Sequence, residues 1–339
     1  MKRIYMFGEG TKEQKNLLGG KGANLSEMKT LGVPVPAGYT ITTEMCTDYY
    51  KNGGKNSPEL LADLKEYTKR LEAETGKEFG SDTDPLLVSV RSGARVSMPG
   101  MMDTILNLGL TDTAVKAMVE RTGNPKFVYD IYRRFIQMFG EVVQGVEYDL
   151  FEGVLDQIKE AKGYKGDLDL TAADWKFVSE EFLKIVAKET GKPFPQDPFT
   201  QLEMAVNAVF ESWFSPRAKI YRDHNGIDHS WGTAVNVQLM VFGNTGDNSG
   251  TGVLFTRNPK TGEKETWGEF LFNAQGEDIV AGIRTPLKLD ELGKIKPKLY
   301  KELTDILDRL EAHYHDMQDV EFTIEEDVLY LLQTRSGKR

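Results

Sequence analysis

The chain has 339 residues, 40% of them hydrophobic and 28% charged, which at about 100–200 residues per domain is enough for roughly two or three compact units. Ordinary Gly and Pro contents exclude collagen-like and wholly disordered chains. A net charge of −10 with no dense basic block argues against a nucleic-acid binder.

The start, Met1-Lys2-Arg3-Ile4-Tyr5-Met6-Phe7, breaks at Gly8-Glu9-Gly10 before a signal-peptide core can form. Apolar runs fall short of the roughly 20 residues a spanning helix needs, so a cytoplasmic protein without a membrane partner is expected. Next, Gly19-Gly20-Lys21-Gly22 puts a lysine in a glycine loop directly before a helix expected near 24–31. A helix N-terminus carries partial positive charge, and Lys21 adds a full one, which together suit an anion. A strand at 39–42 is followed by a helix at 58–75, where Leu60, Leu61, Leu64, Tyr67 and Leu71 recur at helical spacing. Between them Cys46, the single cysteine, excludes an internal disulfide and reads as a packed core thiol.

A second strand, Leu86-Leu87-Val88-Ser89-Val90, ends at Arg91, a position from which ligand contacts are commonly made. The loop after it, Ser97-Met98-Pro99-Gly100-Met101-Met102-Asp103-Thr104, is rich in Met and Gly, and its methionines read as core residues more readily than as ligand contacts. From 111 to 195 every long periodic segment is helical: Phe127, Ile131, Phe135, Phe139 and Val142 form one stripe, and Trp175, Val178, Phe182, Ile185 and Val186 another. A helix near 199–214 precedes a strand over 233–242, where Val235, Val237, Leu239 and Val241 alternate with Asn236, Gln238 and Met240. Strands then dominate to the end, apart from a helix at about 299–315. The pattern is that of an α+β scaffold interrupted by an all-helical insertion, divided as 1–110 plus 196–242, 111–195, and 243–339.

Two segments carry most of the chemistry. Gly243-Asn244-Thr245-Gly246-Asp247-Asn248-Ser249-Gly250-Thr251-Gly252 lacks the Gly-Lys-Ser/Thr of a Walker loop and runs into a strand. It reads either as a glycine-rich hairpin closing over phosphates, as in protein kinases, or as a flexible surface hairpin. At the C-terminus, Asp319-Val320-Glu321-Phe322-Thr323-Ile324, a turn at 325–327 and Val328 to Arg335 form a hairpin. Asp319 and Glu321 share one strand face, and a three-residue turn places Asp319 opposite Gln333, with Leu329, Leu331, Gln333 and Arg335 on one face. Two carboxylates at i, i+2 suit Mg²⁺ shared with phosphate, and Arg335 beside them suits phosphate itself. The same pattern also fits an ordinary polar hairpin face. His224, His229, His313 and His315 lack zinc-site spacing and read as solvated or capping residues.

Taken together, Asn16 to Leu25, Ser89-Val90-Arg91-Ser92-Gly93-Ala94-Arg95, Ser97 to Gly109, Ser249-Gly250-Thr251-Gly252-Val253, Asn273-Ala274-Gln275-Gly276-Glu277-Asp278, Asp316 to Phe322 and Leu332-Gln333-Thr334-Arg335 resemble the ATP-binding portion of the pyruvate, phosphate dikinase family. The likeness covers nearly the whole chain, and the Met-Pro-Gly-Met-Met-Asp-Thr string separates it from phosphoenolpyruvate synthases. It implies an ATP-grasp-like two-part fold and a half-reaction. In that half-reaction the pyrophosphoryl group of Mg-ATP passes to a histidine, AMP leaves, and phosphate takes the terminal group as pyrophosphate.

On this likeness Lys21, Arg91, Gln333 and Arg335 are catalytic and bind the triphosphate, while Asp319, Glu321 and Gln333 hold Mg²⁺. Thr251 and Gly252 cap the phosphates, Glu277 binds the ribose, and Gln238, Met240 and Val241 meet the adenine, with Gly100 and Met102 as further nucleotide contacts. None of the four histidines stands in the family's phosphohistidine motif, so a swivelling phosphohistidine domain and a phosphoenolpyruvate/pyruvate domain are expected as partners. The full-length enzyme is expected to be a homodimer and this portion a monomer. The other readings open to the sequence are an ATP-grasp dikinase for a glucan or an antibiotic, and a nucleotide-sensing module without activity.

Overall fold

Alternating apolar residues build two five-stranded sheets, one in each of the two units into which the chain divides: residues 1–4 with 38–240, and residues 5–37 with 241–339. The computed structural model describes residues 1–282 and 284–337.

The first sheet consists of β1 (Ile4–Met6), along which the chain leaves the first unit after residue 4, and of β2 (Gly38–Ile41), β3 (Val88–Gly93), β4 (Thr104–Leu108) and β5 (Ala234–Leu239) of the first unit, in the order β1-β2-β5-β3-β4. One face is apolar: Tyr39, Ile41, Val88, Val90, Val235 and Val237 are buried. The other is polar, because the strand period of two sets Thr40, Asn236, Arg91 and Thr104 side by side, with Gln238 beside Ser89 in the next row. Most of this polar face is shielded from solvent: Thr40, Asn236, Gln238 and Ser89 are buried, Arg91 and Thr104 are half-buried, and Thr40 Oγ1 donates to Asn236 Oδ1 at 2.7 Å.

Helices Thr43–Lys51, Pro58–Thr75 and Pro198–Ser212 pack on this sheet. Pro58–Thr75 coincides with the expected helix because its ends are marked: the Ser57 hydroxyl accepts from the Leu60 amide, Pro58 opens the first turn, and Gly76 closes the last in the left-handed region. Burial pushes the Cys46 thiol up to about 12, in keeping with an inert core thiol. The stretch 111–195 forms helices Asp112–Thr122, Pro125–Val142, Tyr148–Lys162 and Ala172–Thr190 and belongs to the first unit. Phe135, Phe139 and Phe194 meet ring to ring within it, as do Phe151 and Phe182.

In the second unit β6 (Gly250–Phe255), β7 (Trp267–Phe272), β8 (Leu287–Lys288), β9 (Gln318–Glu325) and β10 (Val328–Ser336) pair in the order β10-β9-β6-β7-β8. Helices Lys15–Thr30, Leu289–Ile295 and Pro297–Tyr314 bury one face of the sheet, with Leu25, Met28, Leu303, Leu307 and Leu310 against Leu254, Phe270, Val320, Phe322, Leu329 and Leu331.

This packing corrects the sequence-based partition. Residues 5–37, assigned to the first subdomain, belong to the second unit, because Phe7, Leu25, Met28 and Val33 complete its core. Two further expectations change. The helix near 24–31 starts earlier: Lys15–Thr30 is two helical pieces joined at Gly19, whose φ of 68° and ψ of 167° are not helical, so Lys21 stands in the first turn of the second piece, at a helix N-terminus but not in a loop before it. The glycine-rich segment is not a hairpin, because β5 and β6 pair into different sheets.

Candidate nucleotide site

The C-terminal hairpin turns more tightly than its sequence suggested. Its turn has two residues, Glu326 and Asp327, both at positive φ (47° and 63°), between the paired Glu325 and Val328. Such turns match the twist of the flanking strands. The register then shifts by one residue between Leu331 and Gln333, leaving Leu332 as the extra residue of a bulge.

The bulge decides where the functional groups point. Before it, Leu329 and Leu331 pair with Ile324 and Phe322 and are buried in the core. After it, Gln333 stands opposite Glu321 and Arg335 opposite Asp319. The expected pairing of Asp319 with Gln333 is therefore wrong, as is a single face shared by Leu329, Leu331, Gln333 and Arg335, because an extra residue inverts a period-two pattern. The association of the four polar groups survives: Arg335 Nε donates to Asp319 Oδ2 at 2.7 Å, and Gln333 Nε2 donates to Glu321 Oε1 at 3.3 Å. Asp319 keeps 17% of its side chain exposed and Arg335 keeps 45%, so the ion pair is open to a ligand from one side.

The neighbouring strands extend this face. Glu269, Val253, Glu321 and Gln333 lie in one row, and Trp267, Phe255, Asp319 and Arg335 in the next. Glu269, which the sequence reading passed over, thus shares the face of the two candidate metal ligands, with Val253 between it and Glu321. Among the described residues no group of three or more His, Cys, Asp or Glu side chains is arranged to hold a metal ion. Two carboxylates and an amide are the donors on offer, the partial set that Mg²⁺ accepts when phosphate oxygens and water complete its shell.

Lys21 reaches this region through its helix. Three residues on, Asn24 donates from Nδ2 to the Thr334 carbonyl at 2.9 Å, while Pro34, beyond the other end of the helix, accepts from the Leu331 amide. The helical piece after Gly19 therefore runs opposite to β10, and its first turn, with Lys21, lies toward the Arg335 end. Asn24 was also missed, although an asparagine between Ala23 and Leu25 on a buried stripe is a visible signal.

The expected phosphate caps have structural partners. Thr251 is buried, and its hydroxyl donates to the Phe322 carbonyl at 3.1 Å. A Cβ on Gly252 would lie 2.4 Å from two atoms of the Phe322 ring and 2.9 Å from the Glu269 carbonyl oxygen, so this glycine is required by packing alone. The segment before them is fixed at several points: Gly243 donates to Gln275 Oε1, and the amides of Asn273 and Glu326 donate to the carbonyl and hydroxyl of Ser249. Glu277 sits in the first turn of the helix Gly276–Val280, which Gln275 and Asp278 cap.

The remaining candidates lie in the first unit. Arg91, expected at a strand end, is inside β3, which continues to Gly93. It occupies the polar face beside Asn236, in the row next to Gln238. The Met240 amide donates to the Leu87 carbonyl, and the chain passes into the second unit at Val241. Gly100 and Met102 lie in the loop between β3 and β4; β4 itself was not anticipated.

Among the histidines, His229 bridges Arg222 and Asp223, and His313 Nε2 is 2.7 Å from Glu27 Oε1. No helix among the described residues is long and apolar enough to cross a membrane.

Comparison with known proteins identifies the chain first as a nucleotide-binding domain. A family model described as "Pyruvate phosphate dikinase, AMP/ATP-binding domain" matches residues 15–66, 55–298 and 289–339. The chain belongs to that family.

Similar curated proteins include the pyruvate, phosphate dikinase of Clostridium symbiosum, 57% identical over 340 residues covering 100% of this chain and 39% of that protein. The enzyme of Giardia intestinalis is 54% identical over 350 residues, covering 100% of this chain and 40% of that protein. The chloroplastic enzyme of Mesembryanthemum crystallinum is 53% identical over 343 residues, covering 100% of this chain and 36% of that protein. The chain thus spans about two fifths of the length of the relatives it matches. Membership of this family favours the dikinase reading over a glucan or antibiotic kinase and over a nucleotide sensor.

Proposed function

We propose that the chain binds Mg-ATP in an ATP-grasp-like manner and performs the nucleotide half-reaction of a pyruvate, phosphate dikinase. In that reaction the pyrophosphoryl group of ATP goes to a histidine of a separate domain, AMP departs, and inorganic phosphate accepts the terminal phosphoryl group to give pyrophosphate. A further domain would use the remaining phosphohistidine to convert pyruvate to phosphoenolpyruvate. The observation that carries the proposal is the side-by-side array of Gln333–Glu321 and Arg335–Asp319 on one face of the hairpin, within a chain matched to the family along almost its whole length.

Transfer between oxygen and nitrogen through a loose, highly charged transition state asks mainly for charge and alignment. Arg335 supplies a planar fork that can leave Asp319 for a phosphate oxygen. Lys21 brings a second cation to the same end of the hairpin, and Arg91 is the corresponding cation of the first unit. Asp319, Glu321 and the Gln333 carbonyl would hold Mg²⁺, which when bound neutralises charge on the phosphates. Gln238, Met240, Val241, Gly100, Met102 and Glu277 are assigned to the base and ribose, and the Thr251–Gly252 stretch to shaping the floor beneath the phosphates.

The test is calorimetry of Mg-ATP binding, followed by mixing the chain with a separately supplied phosphohistidine domain and following label from [β-³²P]ATP. Binding and AMP-coupled histidine labelling are expected. Asp319→Asn with Glu321→Gln should lose the Mg²⁺ dependence of binding. An unchanged metal titration would remove both residues from the metal site, and absence of histidine labelling would remove the dikinase half-reaction.

A further inference from the structure

The loop joining β3 to β4 is held by a part of the first unit that the proposed site does not use. At its tip Met98-Pro99-Gly100-Met101 closes a turn in which the Met101 amide donates to the Met98 carbonyl at 3.2 Å. Pro99 is its second residue, and Gly100, at φ +70°, is the third, the arrangement of a type II turn. Met98 is buried and anchors one side.

On the other side the guanidinium of Arg217, from the helix Pro216–Asn225, makes two contacts at once. Nε donates to the Met101 carbonyl at 3.2 Å, and one terminal nitrogen lies 2.5 Å from Asp103 Oδ1. The Asp103 amide donates to Ser212 Oγ at 3.3 Å, and Tyr221, one turn further along the Arg217 helix, donates from its hydroxyl to the Ser97 carbonyl at 3.5 Å. Both arms of the loop are thus tied to one short helix and the end of the helix before it. The two residues between the ties that read as nucleotide contacts are Gly100 and Met102.

We infer that Arg217 is a positioning residue for the nucleotide: by gripping Met101 and Asp103 it fixes the Pro99–Gly100 turn and the presentation of Gly100 and Met102. The inference rests on the reading of Gly100 and Met102 as nucleotide contacts. The fork geometry matters more than the charge, since a lysine cannot hold a carbonyl and a carboxylate in one plane. The electrostatics agree: partial burial pushes the Asp103 carboxyl up, and Arg217 opposes that shift and favours the ionised, gripping form.

The test compares Arg217→Ala, Arg217→Lys and Asp103→Asn in the whole chain, reading amide exchange at Met101, Met102 and Asp103 beside Mg-ATP affinity by calorimetry. Because the pair is more than half exposed on the arginine side, the expected change is modest: about fivefold faster exchange and a comparable loss of affinity for Arg217→Ala and Asp103→Asn. Arg217→Lys should recover part of the affinity but little of the exchange protection.

Exchange unchanged in Arg217→Ala overturns the grip. Faster exchange with unaltered affinity overturns the link to the nucleotide by showing that Gly100 and Met102 do not contact it, while Mg-ATP binding by the parent chain stays intact. A loss of affinity with exchange unaltered also refutes positioning and assigns Arg217 a direct role instead.

Discussion

Gly252 provides the sharpest test of how the strands of the second sheet pack. In Gly252→Ala the new methyl would sit 2.4 Å from two carbons of the Phe322 ring and 2.9 Å from the Glu269 carbonyl oxygen. The ring is fully buried among Leu254, Val320 and Leu331 and cannot swing aside, and the carbonyl belongs to the neighbouring strand β7. Overpacking of this kind costs about 1–3 kcal/mol. Taking about 2 kcal/mol, with a urea m-value of about 2 kcal/mol per molar, the midpoint for the second unit falls by roughly 1 M. The assay is urea unfolding with amide exchange of the β6 and β9 strands as the probe.

Shrinking the ring removes one of the two clashes, so Phe322→Leu should restore part of the loss in the double variant, with a coupling of about 1–2 kcal/mol. The carbonyl contact keeps the rescue incomplete. A Gly252→Ala chain within about 0.3 kcal/mol of the parent, against the 1–3 kcal/mol expected of overpacking, yet weakened in Mg-ATP binding, would refute the packing argument. It would leave close approach of a ligand as the reason for the glycine.

Arg335→Ala should lower the rate of histidine phosphorylation much more than it lowers Mg-ATP affinity, because a guanidinium that must leave Asp319 gains its full contact only as charge develops; single-turnover rates set beside calorimetry decide this, and equal losses would contradict it. In the helical insertion, burial pushes the Asp174 carboxyl up, but hydrogen bonds from Lys162 and from the Thr171 amide and hydroxyl, with Tyr164, outweigh burial and hold it below the usual carboxylate range. A depressed folded-state pKa gives stability that is present above the ordinary carboxylate value and disappears as pH falls through the folded value. Asp174→Asn, which keeps an acceptor for Thr171 in the capping box at Ala172–Thr190 but removes the charge that Lys162 meets, should cost about 1–2 kcal/mol near neutral pH. Its difference from the parent in thermal melts should shrink below about pH 4, and a constant difference down to pH 2 would refute the assignment.

The residues alone were enough for the α+β class, the helical stretch and most long helices, because Pro58–Thr75 and the Phe127–Phe139 and Trp175–Val186 stripes carry strong local signals in periodicity and caps. The conjunction of Asp319, Glu321, Gln333 and Arg335 was also legible, since a hairpin brings its arms together whatever its turn. The pairing within it was not. The two-residue turn and the bulge at Leu332 both alter register, and a bulge is favoured by where Leu331 and Thr334 must be buried, which a single strand does not reveal.

The same limit explains the other differences. A short segment such as 5–37 joins whichever core has room for its apolar side chains, and Phe7, Leu25 and Met28 found theirs beside β9 and β10. The glycine-rich run looked like a phosphate loop because glycine marks close approach of any kind; at Gly252 what approaches is the Phe322 ring. Sequence by itself therefore determined which chemical groups this chain carries and in what local elements they stand. Only the tertiary structure decided which of them face one another, because strand register and core membership depend on contacts between residues far apart in the chain.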